Sequence, residues 1–360
     1  MKGKTNALAG TSPKIKITTI RIDQTITDPA SMITRIVDEG GIEAIRANSH
    51  RYVGYVEDGI MYLKQLDDLD SSYYIDGNTA KLDGLEGDVW MKLPQFWYKC
   101  SQFATDQWDF SVAYGGQPDS AYKEWDGKDL IGVYEAVSNG SELFSISNES
   151  STGNVSQANF KTYARNRGTG FTLVKWKHHC MMAMLFYTQY GHTNSQEKIG
   201  TGVSSYDKIT GLTNYIGMTD TVAGGNGDSQ SINFWGLENW WGNKYEWMDN
   251  ILVNARSWVI TEDDGSTRTA GTGGSTSGYI TKMLFGENID LIPTGVGGSE
   301  NTGFCDYYYQ NSSNSRVVLR SCSYARTGGG VACVSADNGS SHAGSHHGSR
   351  LAFRGYYVIT

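Results

Sequence analysis

Residues 234–251 read FWGLENWWGNKYEWMDNI. Gly242 permits a tight turn, and the Asn243 side chain can satisfy backbone groups within it. Trp240, Trp241 and Trp247 carry more apolar area than any other side chains, so their spacing marks a core segment. Trp235 and Gly236 open the stretch and Glu246 stands near its end.

A second stretch lies between two arginines, Arg320 and Arg350, with Phe353 just beyond. Its 29 residues, Ser321 to Ser349, contain no Lys, Glu, Gln, Met or Trp, types that make up 62 of the other 331 residues. Chance does not readily remove all five. None of the five has a codon ending in a pyrimidine, and every residue present can be written with one. A Ser/Gly-rich linker would share the small residues. It would seldom carry three His, two Cys, a Tyr and an Arg between firm apolar anchors.

The 321–349 segment resembles the variable region of proteins diversified by diversity-generating retroelements, which randomise adenines. The family's closing Gly-small-Arg corresponds to Gly348-Ser349-Arg350. The resemblance implies ligand-binding, variable positions at Cys322, Tyr324, Ala325, Arg326, Gly328, Ser335, Asp337, Asn338, His342, Gly344, His346 and His347, with Ser323 and Cys333 as additions. An aromatic usual in the opening is replaced by Ser323. Gly236-Leu237, Gly242-Asn243 and Glu246-Trp247 resemble the motif of the formylglycine-generating-enzyme branch of C-type lectin folds, where it forms a central turn and strand. Together with the Arg-anchored end, this implies an α+β, loop-rich C-type lectin fold for residues 87–360. Residues 1–86 are expected to form a small N-terminal α/β domain for virion attachment or oligomerisation. The opening through GDVWMKLPQFWYK resembles tail-associated proteins of gut prophages.

Length permits one large unit and a small one. The net charge of -8, with basic residues scattered, argues against nucleic acid as partner. Five cysteines without paired spacing imply no disulfide framework. The first residues lack the apolar run of a signal peptide and no stretch approaches membrane-spanning length. These features fit a phage-tail protein made in the bacterial cytoplasm without a signal peptide and acting outside the cell. The expected partners are a host-surface protein or glycan, virion tail proteins and, as a homo-oligomer, further copies in a trimer. A bacterial surface or intracellular sensor of the same fold is the alternative.

Along the chain, 15–27 alternates as a strand. Asp28-Pro29 predicts a helix start, with Met32, Ile33, Ile36 and Val37 on one face. Ile42 to Ala47 adds helical turns, and 51–56 with 59–65 forms a strand pair. Residues 66–86 are turn-rich and suggest a boundary. Residues 171–190 read as a helix apolar on most sides, hence buried. Residues 262–278 read as a surface loop, 282–292 as a short strand and 351–359 as the closing strand. The aromatic run 303–310 is expected near the binding face.

Chemistry is weighed against this reading. The enzyme family's cysteine pair falls near Arg326 and Val331 here, so Cys322 and Cys333 are displaced and oxidase activity is not expected. His342, His346 and His347 with Cys333 offer zinc ligand types, but Gly344 and Gly348 disfavour the helix their spacing would need. No cofactor is implied. Structural calcium suits the fold class, with Asp249, Glu262 and Asp263 as loop carboxylates. Small, polar and aromatic side chains on a rigid scaffold suit adaptable recognition instead.

Overall fold

The alternation at the start of the chain is resolved by pairing. Lys16–Asp23 lies between Ile33–Asp38 and Gln107–Tyr114, and the antiparallel sheet continues through Phe96–Ala104 to Lys123–Trp125. Ile20 and Ile22 are fully buried from one face of the first strand. The computed structural model describes residues 14–204, 207–224, 230–321 and 328–360.

The helix expected after Asp28-Pro29 is a turn and a strand. Asp28 accepts hydrogen bonds from the backbone of Ala30 and the hydroxyl of Ser31, closing a single turn. Ile33–Asp38 then alternates inside and outside against the first strand. Ile33 is buried while Ile36 is exposed, so the period is two, not 3.6. The next helix, Gly41–Ala47, forms where expected.

A seven-stranded sheet runs in the order Phe171–Leu173, Leu351–Arg354, Asp129–Gly132, Asp88–Lys92, His50–Glu57, Ile60–Gln65, Tyr357–Ile359. Its strands come from both ends of the chain and its middle. The closing strand is thus two strands, placed on opposite sides of this sheet. The largest sheet runs Thr267–Thr272, Ser257–Thr261, Tyr245–Asn254, Ser315–Arg320, Val334–Asn338, Tyr307–Gln310, Gly278–Leu284, Ile292–Val296, and His347–Ser349 joins Tyr245–Asn254 in parallel. The expected surface loop at 262–278 therefore contains an edge strand, Thr267–Thr272. Its side chains are exposed or half-buried, so no apolar pattern announces it.

The expected division at residue 86 matches no separation of the sheets. Strands from residues 14–86 pair with later strands in both of the first two sheets. Arg51, fully buried, donates to the Gly236 carbonyl (2.7 Å), Asn233 (2.8 Å), Ser71 (3.1 Å) and Thr213 (3.2 Å), tying the first part of the chain to the tryptophan motif.

Residues 171–190 divide into the strand Phe171–Leu173 and the helix Trp176–Tyr190. Asn250 accepts from the Trp176 amide at 2.8 Å, and Gly191 ends the helix in the left-handed conformation. Twelve of its 15 residues are buried, as its all-round apolar sequence predicts. Strand makes up 40% of the described residues and helix 12%, so the fold is mainly β rather than evenly α+β. No described helix is long and apolar enough to cross a membrane.

Candidate ligand-binding face

The strand Tyr245–Asn254 holds both ends of the 321–349 stretch. Glu246 is the register partner of Arg320 on one side and of Gly348 on the other. Its carboxylate does the same through side chains. Arg320 Nη2 donates to Glu246 Oε2 at 2.6 Å, and Arg350 Nε donates to Oε1 at 2.9 Å. All three side chains are at most 1% exposed. Arg350 also donates to the carbonyls of Gly132, Val133, Glu238 and Asn239. Arg320 donates to the Trp240 carbonyl at 2.6 Å and lies 3.4 Å over the Trp240 ring. Burial lowers the Arg320 guanidinium to about 10, opposed by Glu246, so it stays charged at neutral pH.

Trp240, Trp241 and Trp247 are fully buried, as is Trp235. Gly242 has φ +84, and a Cβ there would lie 2.6 Å from the Val203 amide, so this turn admits only glycine. Asn243 accepts from the Lys208 amide at 2.8 Å and donates to Glu135. Glu135 also accepts from the Lys244 amide at 3.0 Å; burial, chiefly, pushes its carboxyl up to about 8. Phe353 meets Phe171 edge-on at 5.1 Å in the second core.

Cys322, Ser323, Tyr324, Ala325 and Arg326 lie outside the described residues. Gly328 has φ +83, and a Cβ there would fall 2.6 Å from the Tyr279 hydroxyl. Ser195 Oγ accepts from the Val331 amide (2.9 Å) and Asp306 Oδ2 from the Ala332 amide (2.7 Å). A Cβ on Gly330 would fall 2.1 Å from Ser195 Oγ. Burial pushes the Asp306 carboxyl up to about 7, opposed by backbone donors at Ala332 and Gly330.

The implied variable positions fall into two groups. Gly328, Cys333, Ser335 and His347 are buried. Ser335 is buried because Val334–Asn338 lies between two other strands and is covered on both faces at its start. Asp337, Asn338, Gly344 and His346 are half-buried and His342 is exposed. Asp337 accepts from Ser335 Oγ (2.5 Å) and Asn338 Nδ2 (2.6 Å).

A row of rings borders this stretch. Tyr279 and Tyr307 are 5.2 Å apart, Tyr307 and Tyr309 4.4 Å, Tyr309 and Tyr245 6.3 Å, and Tyr245 and His347 5.9 Å. Tyr279, Tyr307 and Tyr309 are half-buried. The aromatic run 303–310 thus lies beside the stretch it precedes.

The chain matches no known family model and no curated protein.

Asp249 is not in a loop. It sits in Tyr245–Asn254, paired with Lys161 at 2.9 Å and Arg165 at 3.4 Å. Glu262 pairs with Arg268, and Asp263 with Lys175 and Lys177. These three carboxylates neutralise cationic side chains. Among the described residues, no three His, Cys, Asp or Glu side chains stand ready to hold a metal. Cys100, Cys180 and Cys305 are free and buried, and Cys333 is buried. Sequence reading missed Glu135, Ser195 and Asp306. A lone carboxylate inside GFCDYYYQ was the available signal for Asp306, since a charge among aromatics needs internal donors.

Proposed function

We propose that this chain is a ligand-display protein. In this reading it has a C-type lectin fold of the formylglycine-generating-enzyme branch, and its 321–349 segment is diversified by a retroelement. It serves as a phage-tail receptor-binding protein for a host-surface ligand. The observation that carries the reading is the separation of frame from display. Both ends of the segment are clamped on the buried Glu246, while Asp337 to His346 runs along the surface beside half-exposed tyrosines. Rigid aromatics next to small polar side chains suit adaptable recognition, because tyrosine supplies contact area at low entropic cost. The clamp confines sequence change to the span between its two arginines. Cysteines are absent from the positions corresponding to the enzyme family's pair, Arg326 and Val331, so no oxidation step is assigned.

The test is amplicon sequencing of this coding region across the source population, with its flanking DNA. The expected result is substitution concentrated in codons 321–349 at adenine-derived positions, beside a reverse transcriptase gene and an adenine-rich near-copy. Substitution spread evenly along the chain would overturn the reading.

A further inference from the structure

Arg354 ends the strand Leu351–Arg354 where several elements converge. Its guanidinium takes Asp126 in a two-point pair, Nη1 to Oδ1 at 3.1 Å and Nη2 to Oδ2 at 2.6 Å, and Nη1 also donates to Asp129 at 2.9 Å. Its Nε lies 3.3 Å from Asp263. Lys177, on the helix Trp176–Tyr190, links Asp129 (2.9 Å) to Asp263 (2.7 Å). Two clefts share Asp126 and Arg354 in their walls. One, of about 250 Å³, is lined as well by the buried Trp125, Met181 and Ile289, the half-buried Tyr98 and the exposed Asn288. The other, of about 590 Å³, is lined as well by the half-buried Tyr357 and by Tyr356, which is 70% exposed. No lining residue of either cleft belongs to the 321–349 stretch.

We propose that the two clefts form one groove for a neutral glycan, with a pyranose ring in each. Charge sets the ligand class. All three guanidinium nitrogens of Arg354 face a carboxylate, and Lys177 spans two. An anion would meet Asp126, Asp129 and Asp263, whereas a cation would meet carboxylates already neutralised. An uncharged ligand meets neither obstacle. A carboxylate only accepts hydrogen bonds, and its roughly four lone-pair sites outnumber the partners it holds here, so the ligand must be rich in donors. A pyranose presents several hydroxyls, while an extended peptide offers one backbone N–H per residue. Bonds to a charged acceptor are about twice as strong as neutral ones. Ion pairing holds these carboxylates in place beforehand, which lowers the ordering cost of binding. Tyr98, Tyr356 and Tyr357 add rings with an apolar body and a polar tip, suited to the C–H faces of a sugar bordered by hydroxyls. Together the clefts fall within the roughly 300–1,000 Å³ usual for small-ligand sites. The groove stays constant whatever the 321–349 stretch displays, and it does not rest on the ligand-display reading.

The experiment is calorimetric titration of the full chain with the tetrasaccharides of glucose, galactose, mannose and N-acetylglucosamine. Sialyllactose, tetralysine and tetraserine serve as anionic, cationic and neutral-peptide comparators. Saturable binding of at least one tetrasaccharide is expected, and none of the comparators. Tyr356→Ala and Asn288→Ala each remove an exposed side chain, one from each cleft. Each should weaken glycan binding at least tenfold while the melting temperature stays in place. Changing Asn338, His342 and His346 together to serine should leave glycan binding as it was. Binding of no tetrasaccharide, or equal or tighter binding of a comparator, would overturn the ligand class. Binding that either single variant leaves unchanged, or that the triple variant abolishes, would overturn the location. The display reading is tested by sequence variation instead, so either can fail while the other stands.

Discussion

At Asp306, burial and hydrogen bonding act in opposite directions, and burial wins. The carboxyl is raised from an ordinary 3.8 to about 7 although backbone amides donate to it. Its role is local: it accepts from the Ala332 amide and fixes the turn that carries the chain into Val334–Asn338. Between those two pKa values the folded chain keeps a proton that the unfolded chain has lost. The contribution of Asp306 to stability therefore falls as pH rises from about 4 to about 7. Asp306→Asn removes the titration and keeps a carbonyl oxygen to accept from Ala332. Its melting temperature should decline less than that of the parent chain between about pH 5 and pH 8. Glu135, raised to about 8 mainly by burial, has the same sign but is present in both proteins, so the difference isolates Asp306. Parallel pH curves for the two chains would show that Asp306 does not titrate in this window.

At the scale of elements, the 321–349 stretch is a hung segment whose ends and middle have different tolerances. Replacing Asn338, His342 and His346 together with serine should cost no more than about 1.5 kcal/mol, since surface changes usually stay within about 0.5 kcal/mol each. Glu246→Gln should cost about 3–5 kcal/mol, because it leaves two buried guanidinium groups without their anion. Denaturant unfolding of the two variants checks both values, and reversed costs would mean that the middle of the stretch is the scaffold. The sequence marked Arg320, Arg350 and Glu246 as motif residues, but not that both arginines share the Glu246 carboxylate, since they lie 74 and 104 residues from it. It did not show Ser195, because that partner lies 136 residues from the amide it accepts from. Strands with clean alternation, such as Lys16–Asp23 and Ile60–Gln65, were legible for the same reason that the helix at 28–37 was misread. Both rest on counting apolar spacing, and Met32, Ile33, Ile36 and Val37 satisfy a helical count while pairing puts Ile33, Ile36 and Val37 in a strand. Thr267–Thr272 left no signal because an edge strand with solvent on its side chains needs no apolar face.

For the whole molecule, the sheets decide what can be removed. A chain starting at residue 87 would lose Lys16–Asp23 and Ile33–Asp38, leaving Gln107–Tyr114 as a bare edge. It would also lose His50–Glu57 and Ile60–Gln65 from between Asp88–Lys92 and Tyr357–Ile359, stranding the last strand without a partner. Ile20, Ile22, Ile42, Ile45, Tyr52, Met61 and Leu63, each at most 4% exposed, would leave the core. At about 1.5–3 kcal/mol per buried side chain, their loss amounts to roughly 10–20 kcal/mol. Typical stabilities are only about 5–15 kcal/mol. The four hydrogen bonds from Arg51 would go too, leaving the Gly236 carbonyl and Asn233 with less support inside the tryptophan motif. The shortened chain should therefore show no cooperative thermal transition and should bind a hydrophobic dye at room temperature. A sharp melt with native-like near-ultraviolet dichroism would mean that residues 87–360 fold alone, and that the shared sheets are a late docking of two independent units.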